Sequence, residues 1–486
     1  MALLDNDVWR GRIWTGRWAE GGGERYSAVE PATGGVIAAV GRADIEDVHH
    51  AASRAVEAQQ QWAALPYDQR AAVLRKAGGI IADNGGELAD WLARETGAVR
   101  LVGEVQVRGS AAECHEAAAL AALPHGDVLR TKVPRLSLAR RHAAGVVAVI
   151  APFNAPMTLA IRAIAPALAL GNAVILKPDP RTAISGGAAI AAVFEQAGLP
   201  PGVLQVLPGG ADVGEALIVE PAVQVVAFTG STKAGRAIGA LAGRHLTRAH
   251  LELGGKNALL VLSDVDVHEA ASVGAWGAFL HQGQICMSTG RHLVHESIAE
   301  EYTALLAEKA HKLTVGDPFR EDVDLGPLID STQRDRVHAL VTASIEAGAH
   351  LQTGGTYEGL FYRPTVLANV PADAPAFREE IFGPVAPVTA FSSLDEAVEL
   401  ANDTEYGLSL GVLTRDVYRG VELAERIPTG VVHINDQTVA DDPVAPFGGI
   451  GASGTGARHG SPQANLEAFT EMQWITIRGA LPAYPY

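Results

Sequence analysis

Residues 145–178 read GVVAVIAPFNAPMTLAIRAIAPALALGNAVILKP. Two short runs rich in Val and Ile, VVAVI and AVILK, flank an Ala- and Leu-rich stretch of helical length. A strand apolar on both faces must be covered on both faces, and the Ala-rich connection supplies one cover. The same alternation runs on through VLQVLPG, VQVVAFTG, AHLELGG and NALLVL as far as Leu262, with segments such as TAISGGAAIAAVFEQAG between them. Strands spaced by helices in this way predict a doubly wound parallel α/β sheet, whose ligands sit at the carboxyl ends of the strands.

Beyond Leu262 a second α/β block is expected. AEEYTALLAEKAHKL, STQRDRVHALVTASIEAGA and DVYRGVELAERI carry helical amphipathic spacing, and RHLVHES, PVAPVTAF, LSLGVLT and GVVHIND are its strand candidates. The terminal EMQWITIRG alternates like a strand without a partner nearby in sequence, a kind that often pairs with another subunit.

Composition narrows the function classes. The 486 residues, 48% of them hydrophobic, can build two or more domains. A net charge of -17 repels phosphate backbones and anionic lipid, so neither nucleic acid nor membrane is an expected partner. Two cysteines, Cys114 and Cys286, are too few to staple the chain. The start, MALLDNDVWRGRIW, has an early acidic pair and no signal-like apolar core, so a reducing, cytoplasmic setting is expected. The longest apolar stretch, AIAPALALGNAVIL, is broken by Pro166, Gly171 and Asn172, short of a membrane span. His292 and His295 lack a third ligand of fitting spacing, so no metal site is expected.

Candidate chemistry gathers at the predicted strand ends. Cys286, in FLHQGQICMSTGR, falls near the end of a helix or in the loop after it, and the segment alone suits a nucleophile and a small buried hydrophobe equally. Glu252, in HLELGGKN, ends a strand among Leu251, Leu253 and two glycines. A carboxylate so placed has a raised pKa, as a general base near neutrality requires; a capping or salt-bridged Glu would read the same way. Asn154, in IAPFNAP, stands between strand and helix, where its amide can donate to an oxyanion or serve a turn. Gly230 to Gly235, GSTKAG, follows a strand and opens a helix, where backbone N–H groups favour phosphate, although the full G-x-G-x-x-G pattern is absent. Lys177 ends the strand AVILK, within reach of ribose hydroxyls or of solvent. Glu380, in REEIFGP, adjoins a turn whose Phe382 presents an aromatic face.

Seven motifs, PFN, LKP, FTGST, LELGGKN, GQIC, EEIFGP and PFGG, occur in that order, with 34 residues from Glu252 to Cys286 and 94 from there to Glu380. On these motifs the chain resembles the aldehyde dehydrogenase superfamily over essentially its whole length. The resemblance implies a Rossmann-type cofactor domain (1–121 and 143–253) and an α/β catalytic domain (254–450). It adds a small β oligomerisation domain (122–142 and 465–486) in a homodimer or homotetramer. It implies that Cys286 attacks an aldehyde while Asn154 and the Cys286 N–H hold the oxyanion. Hydride then passes to a nicotinamide, and Glu252 activates water to release the acid. Lys177 would hold the adenosine ribose, Gly230 and Ser231 the pyrophosphate, and Glu380 the nicotinamide ribose; Phe153 and Phe382 are placed with the cofactor contacts.

Three stretches, LKPDPRTAISGG, APFGGIGASGTGARHG and EAFTEMQWITIRGALPAYPY, resemble bacterial benzaldehyde dehydrogenases of the NAD type, with vanillin and salicylaldehyde dehydrogenases as near competitors. An aromatic aldehyde is therefore expected, walled by Met157, Ile285, Met287 and Phe447. NAD is the expected cofactor and NADP the alternative. The acidic residue that NAD-preferring members often place three after the lysine is here Pro180; Asp179 could reach the same diol, while Arg181 could welcome a phosphate. Arg162, two turns past Asn154, is expected in a surface ion pair, with a place facing the entrance as the alternative. Other classes fit less well. A CoA-acylating relative needs no water-activating Glu, a phosphorylating reductase lacks LELGG, and a non-catalytic cofactor-binding protein would have lost Cys286, Asn154 or Glu252. His281, five residues before Cys286, makes a thiol-protease pair only if something orients its imidazole, and nothing in the sequence does.

Overall fold

A computed structural model describes residues 2–4 and 6–486; Met1 and Asp5, the latter half of the early acidic pair, lie outside the described residues. The first sheet has the order Arg248–Glu252, Val223–Thr229, Val146–Ile150, Ala173–Lys177, Leu204–Val206, Ile13–Trp14, Trp18–Ala19. The first five strands are parallel, and Ile13–Trp14 runs antiparallel to both of its neighbours. Every residue of Val146–Ile150 and Ala173–Lys177 is buried, because helices lie on both faces. The crossover between these two strands is the helix Pro156–Ala169, opened by a proline whose missing N–H costs nothing at a first turn. Each fully buried Val, Ile or Leu contributes roughly 1.5–3 kcal/mol, and this layer holds dozens. Cys114, on the helix Arg100–Leu120, is wholly buried in that core and packs there as a small apolar group.

The TAISGGAAIAAVFEQAG segment, expected as one helix, is less regular. A π-helical turn at Ile184–Ala188 precedes the α-helix Ala189–Ala197. The buried Glu95 carboxylate accepts from the N–H groups of Ile184 and Ser185 and from the Ser185 hydroxyl, holding this wider turn open.

A second sheet runs His350–Thr353, Thr365–Ala368, Val385–Phe391, Thr289–His295, Asn257–Val261, Ser409–Leu413, Val431–Ile434, all parallel but for the first. The third is a small antiparallel sheet of Gly126–Val128, Leu136–Ala143 and Thr470–Ile477. The terminal strand thus finds a partner in its own chain, more than three hundred residues upstream, and its other edge is left unpaired. Residues 462–469 do not join this sheet: the helix Pro462–Phe469 precedes it, and Phe469 is buried in the first core. Among the described residues no helix is long and apolar enough to cross a membrane, and no group of three His, Cys, Asp or Glu side chains could hold a metal.

Candidate functional site

The order of the first sheet reverses at Val146–Ile150. The chain moves from it toward Ala173–Lys177 on one side and later returns to Val223–Thr229 on the other. A crevice opens outside the carboxyl ends of strands at such a switch point. Asn154 follows the end of one central strand, Gly230 the end of its neighbour, and Lys177 and Glu252 are themselves last residues of strands. The resulting cleft is lined by Asn154, Lys177, Gly230, Cys286, Glu380 and Phe382, among others.

Cys286 enters this cleft from the second domain. The helix Val267–Phe279 ends, a 3-10 turn follows at Leu280–Gly283, and the chain then delivers Cys286 before the strand Thr289–His295. Asn257 pins the loop: its amide donates to the carbonyls of Cys286 and Ser288, both at 2.8 Å. The sequence reading passed over Asn257, although an Asn heading the apolar strand NALLV was a signal. Burial, reinforced by the nearby Glu380 and Glu252, pushes the Cys286 thiol up to about 12, so the resting sulfur keeps its proton. The Cys286 N–H and the Asn154 side-chain amide have no protein acceptor among the described residues. Both residues line the same cleft, and donors left open there are of the kind an oxyanion needs.

Behind Cys286 lies a second, more enclosed chamber lined by Glu252, Arg162, Phe447 and His459. Glu252 is 3% exposed, and burial pushes its carboxyl up to about 8 against the opposing pull of Arg458 and the Gly449 N–H. One oxygen accepts from Gly449 N–H at 3.3 Å; the other has no partner. A side chain at position 448 would put its Cβ 2.6 Å from that oxygen, so the glycine of the PFGG motif makes room for the carboxylate. Glu252 is neither a helix cap nor one half of an ion pair.

The cleft on the other side suits a dinucleotide. Lys177 is buried, bonded to the Pro178 carbonyl at 3.0 Å. Glu380 accepts from Gly255 N–H at 3.2 Å, and a Cβ at position 254 would meet its carboxylate at 2.3 Å. Burial raises Glu380 to about 7. Phe382, at φ 57°, sits edge-on to Phe153, with centroids 5.8 Å apart. Gly230 does face the cleft, but its N–H is taken by the Glu252 carbonyl, and the Ser231 hydroxyl caps Ala234. Gly230 and Ser231 thus line the cleft where the helix Thr232–His245 begins, and the open N–H groups of a helix's first turn suit a phosphate. A carboxylate and an ammonium for sugar hydroxyls, helix N–H groups for phosphate and glycines where backbone must come close together fit a nicotinamide dinucleotide.

Three expected wall residues, Ile285, Met287 and Phe447, cluster beside Cys286 with Leu408 and Val431. Met157 does not join them. It is 0% exposed in the core beneath the sheet, because its side of the helix Pro156–Ala169 turns away from the cleft. Arg162 is not a surface residue either. It is buried, pairs with Glu113 at 3.0 Å and with Asp441, and lies over the Phe447 ring at 5.1 Å. Those two carboxylates balance a charge that could not otherwise be buried. Asp179 spends both oxygens on Arg181, whose guanidinium also bonds Asp330 at 2.7 Å and stacks on Phe153 at 4.2 Å. His281 makes no pair with Cys286; its imidazole bonds the Asn154 carbonyl.

The model of the Aldehyde dehydrogenase family matches residues 18–475. The chain is 58% identical to a vanillin dehydrogenase of Amycolatopsis over 486 residues, all of both proteins. It is 48% identical to an NAD(+) benzaldehyde dehydrogenase of Pseudomonas putida over 99% of each. Its fold superposes with a TM-score of 0.94 on a salicylaldehyde dehydrogenase of Pseudomonas putida G7 solved with salicylaldehyde, at 34% identity, covering 98% of this chain and 99% of that one.

Proposed function

The chain belongs to the aldehyde dehydrogenase family, and from that premise we propose that it oxidises a flat aromatic aldehyde, with NAD as acceptor and Cys286 as nucleophile. The chemical part of this reading rests on the convergence at Cys286 of two open oxyanion donors and a buried carboxylate of raised pKa. As sulfur attacks and its proton passes to water in the cleft, the carbonyl oxygen gathers charge between the Asn154 amide and the Cys286 N–H; a donor of this kind is worth about 3 kcal/mol in the transition state. The nicotinamide dinucleotide, when bound, supplies the hydride acceptor. Lys177 and Glu380 hold its sugars, and the first turn of Thr232–His245 faces its phosphates. Loss of hydride from the former aldehyde carbon leaves a thioester on Cys286. Glu252 takes a proton from water as the oxygen attacks that carbonyl; the C–S bond breaks and sulfur regains a proton.

The apolar side chains Ile285, Met287 and Phe447 that gather beside Cys286 support an aromatic substrate. The vanillin, benzaldehyde and salicylaldehyde names of the relatives agree. Initial rates over a panel of aldehydes should give benzaldehyde and its hydroxylated derivatives at least about tenfold higher kcat/KM than acetaldehyde. Higher efficiency for acetaldehyde or for a semialdehyde would overturn the aromatic assignment.

Electrostatics support NAD over NADP. Arg181, a cation near the Lys177 end that could attract a 2′-phosphate, is already matched by Asp179 and Asp330. Burial works to raise the Asp179 carboxyl, but its bonds from Arg181 prevail and hold it below its ordinary range, so it stays charged where that phosphate would come. NAD should be preferred in kcat/KM, and Asp179→Ala, which frees Arg181, should narrow the preference by about tenfold, equivalent to about 1.4 kcal/mol. A wild-type preference for NADP refutes this reading. A homo-oligomer is part of the same proposal. The edge strand Thr470–Ile477 leaves Met472, Trp474 and Ile477 exposed, and a second copy would cover them.

A further inference from the structure

The nucleophile and the oxyanion amide come from different domains, Cys286 after the helix Val267–Phe279 and Asn154 before the helix Pro156–Ala169. Their relative placement therefore depends on whatever joins the two loops. At the start of the Cys286 loop three successive residues are left-handed: His281 at φ 53°, Gln282 at φ 57° and Gly283 at φ 66°. The glycine adopts this freely, whereas each of the other two costs of order 1 kcal/mol or more and persists only where the surroundings over-determine it. Side-chain bonds do so here. Gln282 donates to the carbonyls of Gly97 and Pro327 at 2.7 and 3.0 Å, and the Gln284 side-chain Oε1 accepts from Ile329 N–H at 3.1 Å. Of these anchors only His281 reaches the oxyanion loop, with its Nε2 2.8 Å from the Asn154 carbonyl.

We propose that His281 is a positioning residue: its Nε2–H, held on the Asn154 carbonyl, sets the Asn154 amide in register with Cys286. The chemistry fixes the tautomer. A carbonyl can only accept, so Nε2 carries the hydrogen and Nδ1 is bare; Nδ1 has no partner among the described residues. The ring is 2% exposed, and burial holds its pKa down to about 4, so it is neutral wherever the enzyme works. The strained turn presents the imidazole where an ordinary helical backbone would carry it away. Because the amide itself makes no protein hydrogen bond, its backbone is the handle by which it is aimed.

The inference rests on the roles proposed for Cys286 and Asn154, and the two fail differently. An active Cys286→Ala variant overturns the nucleophile, whereas normal His281 variants beside an inactive Cys286→Ala overturn only the positioning. His281→Phe and His281→Met remove the donor with different shapes, and His281→Gln keeps an N–H at similar reach. Two rates are compared: the burst of reduced cofactor with saturating benzaldehyde and NAD, and alkylation of Cys286 by iodoacetamide, which generates no oxyanion. The Phe and Met variants should lose about 10- to 100-fold in burst rate. Their alkylation rate should change less than about threefold, and the Gln variant should recover the burst to within about threefold of wild type. The loss should be the same from pH 6 to 9, because the imidazole does not titrate there. Wild-type bursts in the Phe and Met variants overturn the proposal. So do parallel losses in both reactions, failure of Gln to restore the burst, or a loss that varies with pH.

Discussion

Replacement of Cys286 by alanine is expected to lower aldehyde turnover by more than about a thousandfold while dinucleotide affinity stays at its wild-type value. The thiol forms the bond that holds the substrate during hydride transfer, and no second nucleophile stands in for it. Cys114 is sealed in the core of the first domain, and burial raises its thiol far above the working range. The hydroxyls at the cleft, Thr229 and Ser231, are alcohols and far weaker nucleophiles than a thiol. The groups that fit the dinucleotide, by contrast, lie on other segments: Lys177, Glu380 and the first turn of Thr232–His245. Calorimetric titration with NAD should therefore return an unchanged Kd in a variant that no longer forms NADH. Retention of more than a tenth of wild-type turnover would sink covalent catalysis at this residue. A weakened Kd would mean that the alanine disturbed the cleft.

How far the sequence could be read depended on range. Runs such as VVAVI and AVILK announce themselves because a strand buried on both faces has no polar alternation, and Asn154 and Lys177 fell at or just past the ends of these runs, whereas Cys286 lies in a loop between a helix and a strand. Local pattern could not say which side of a helix meets a cleft. Met157 and Arg162 lie on the same helix, yet Met157 is sealed in the core and Arg162 opens on the inner chamber. The charge of Arg162 suggested a surface because its counter-charges, Glu113 and Asp441, lie far away along the chain. Distance also hid the partner of the terminal strand. The bond from His281 to Asn154 was hidden for the same reason, spanning 127 residues and depending on left-handed backbone at a residue type that seldom adopts it. The strained and long-range features are those that bring the two domains together at the cleft, where local propensity yields to geometry.

Glu252→Gln should separate the two halves of the reaction. Thiol attack and hydride transfer do not need the carboxylate to act as a base toward water, so one equivalent of reduced cofactor should appear in a burst. Glutamine cannot accept the proton of the attacking water, and steady-state turnover should then fall by about 10²- to 10⁴-fold, the usual contribution of a general base. Acid quench should recover acyl group on Cys286. The substitution is nearly isosteric, and the oxygen that accepts from Gly449 N–H can be kept. The variant should also fold at least as well as the wild type, and the sign follows from the raised pKa. Below about 4.5 both folded and unfolded chains hold the Glu252 proton; between about 4.5 and about 8 only the unfolded chain releases it, so wild-type stability falls as pH rises through that window. Glutamine has no proton to release, and its Tm at pH 8 should equal or exceed that of the wild type. Activity has the opposite dependence. The base must be ionised, so wild-type deacylation should climb as pH passes through about 8, and the residual turnover of the variant should lack that inflection. A normal steady-state rate would show that another base activates the water. Loss of the burst together with turnover would place Glu252 before the thioester, as the acceptor of the thiol proton.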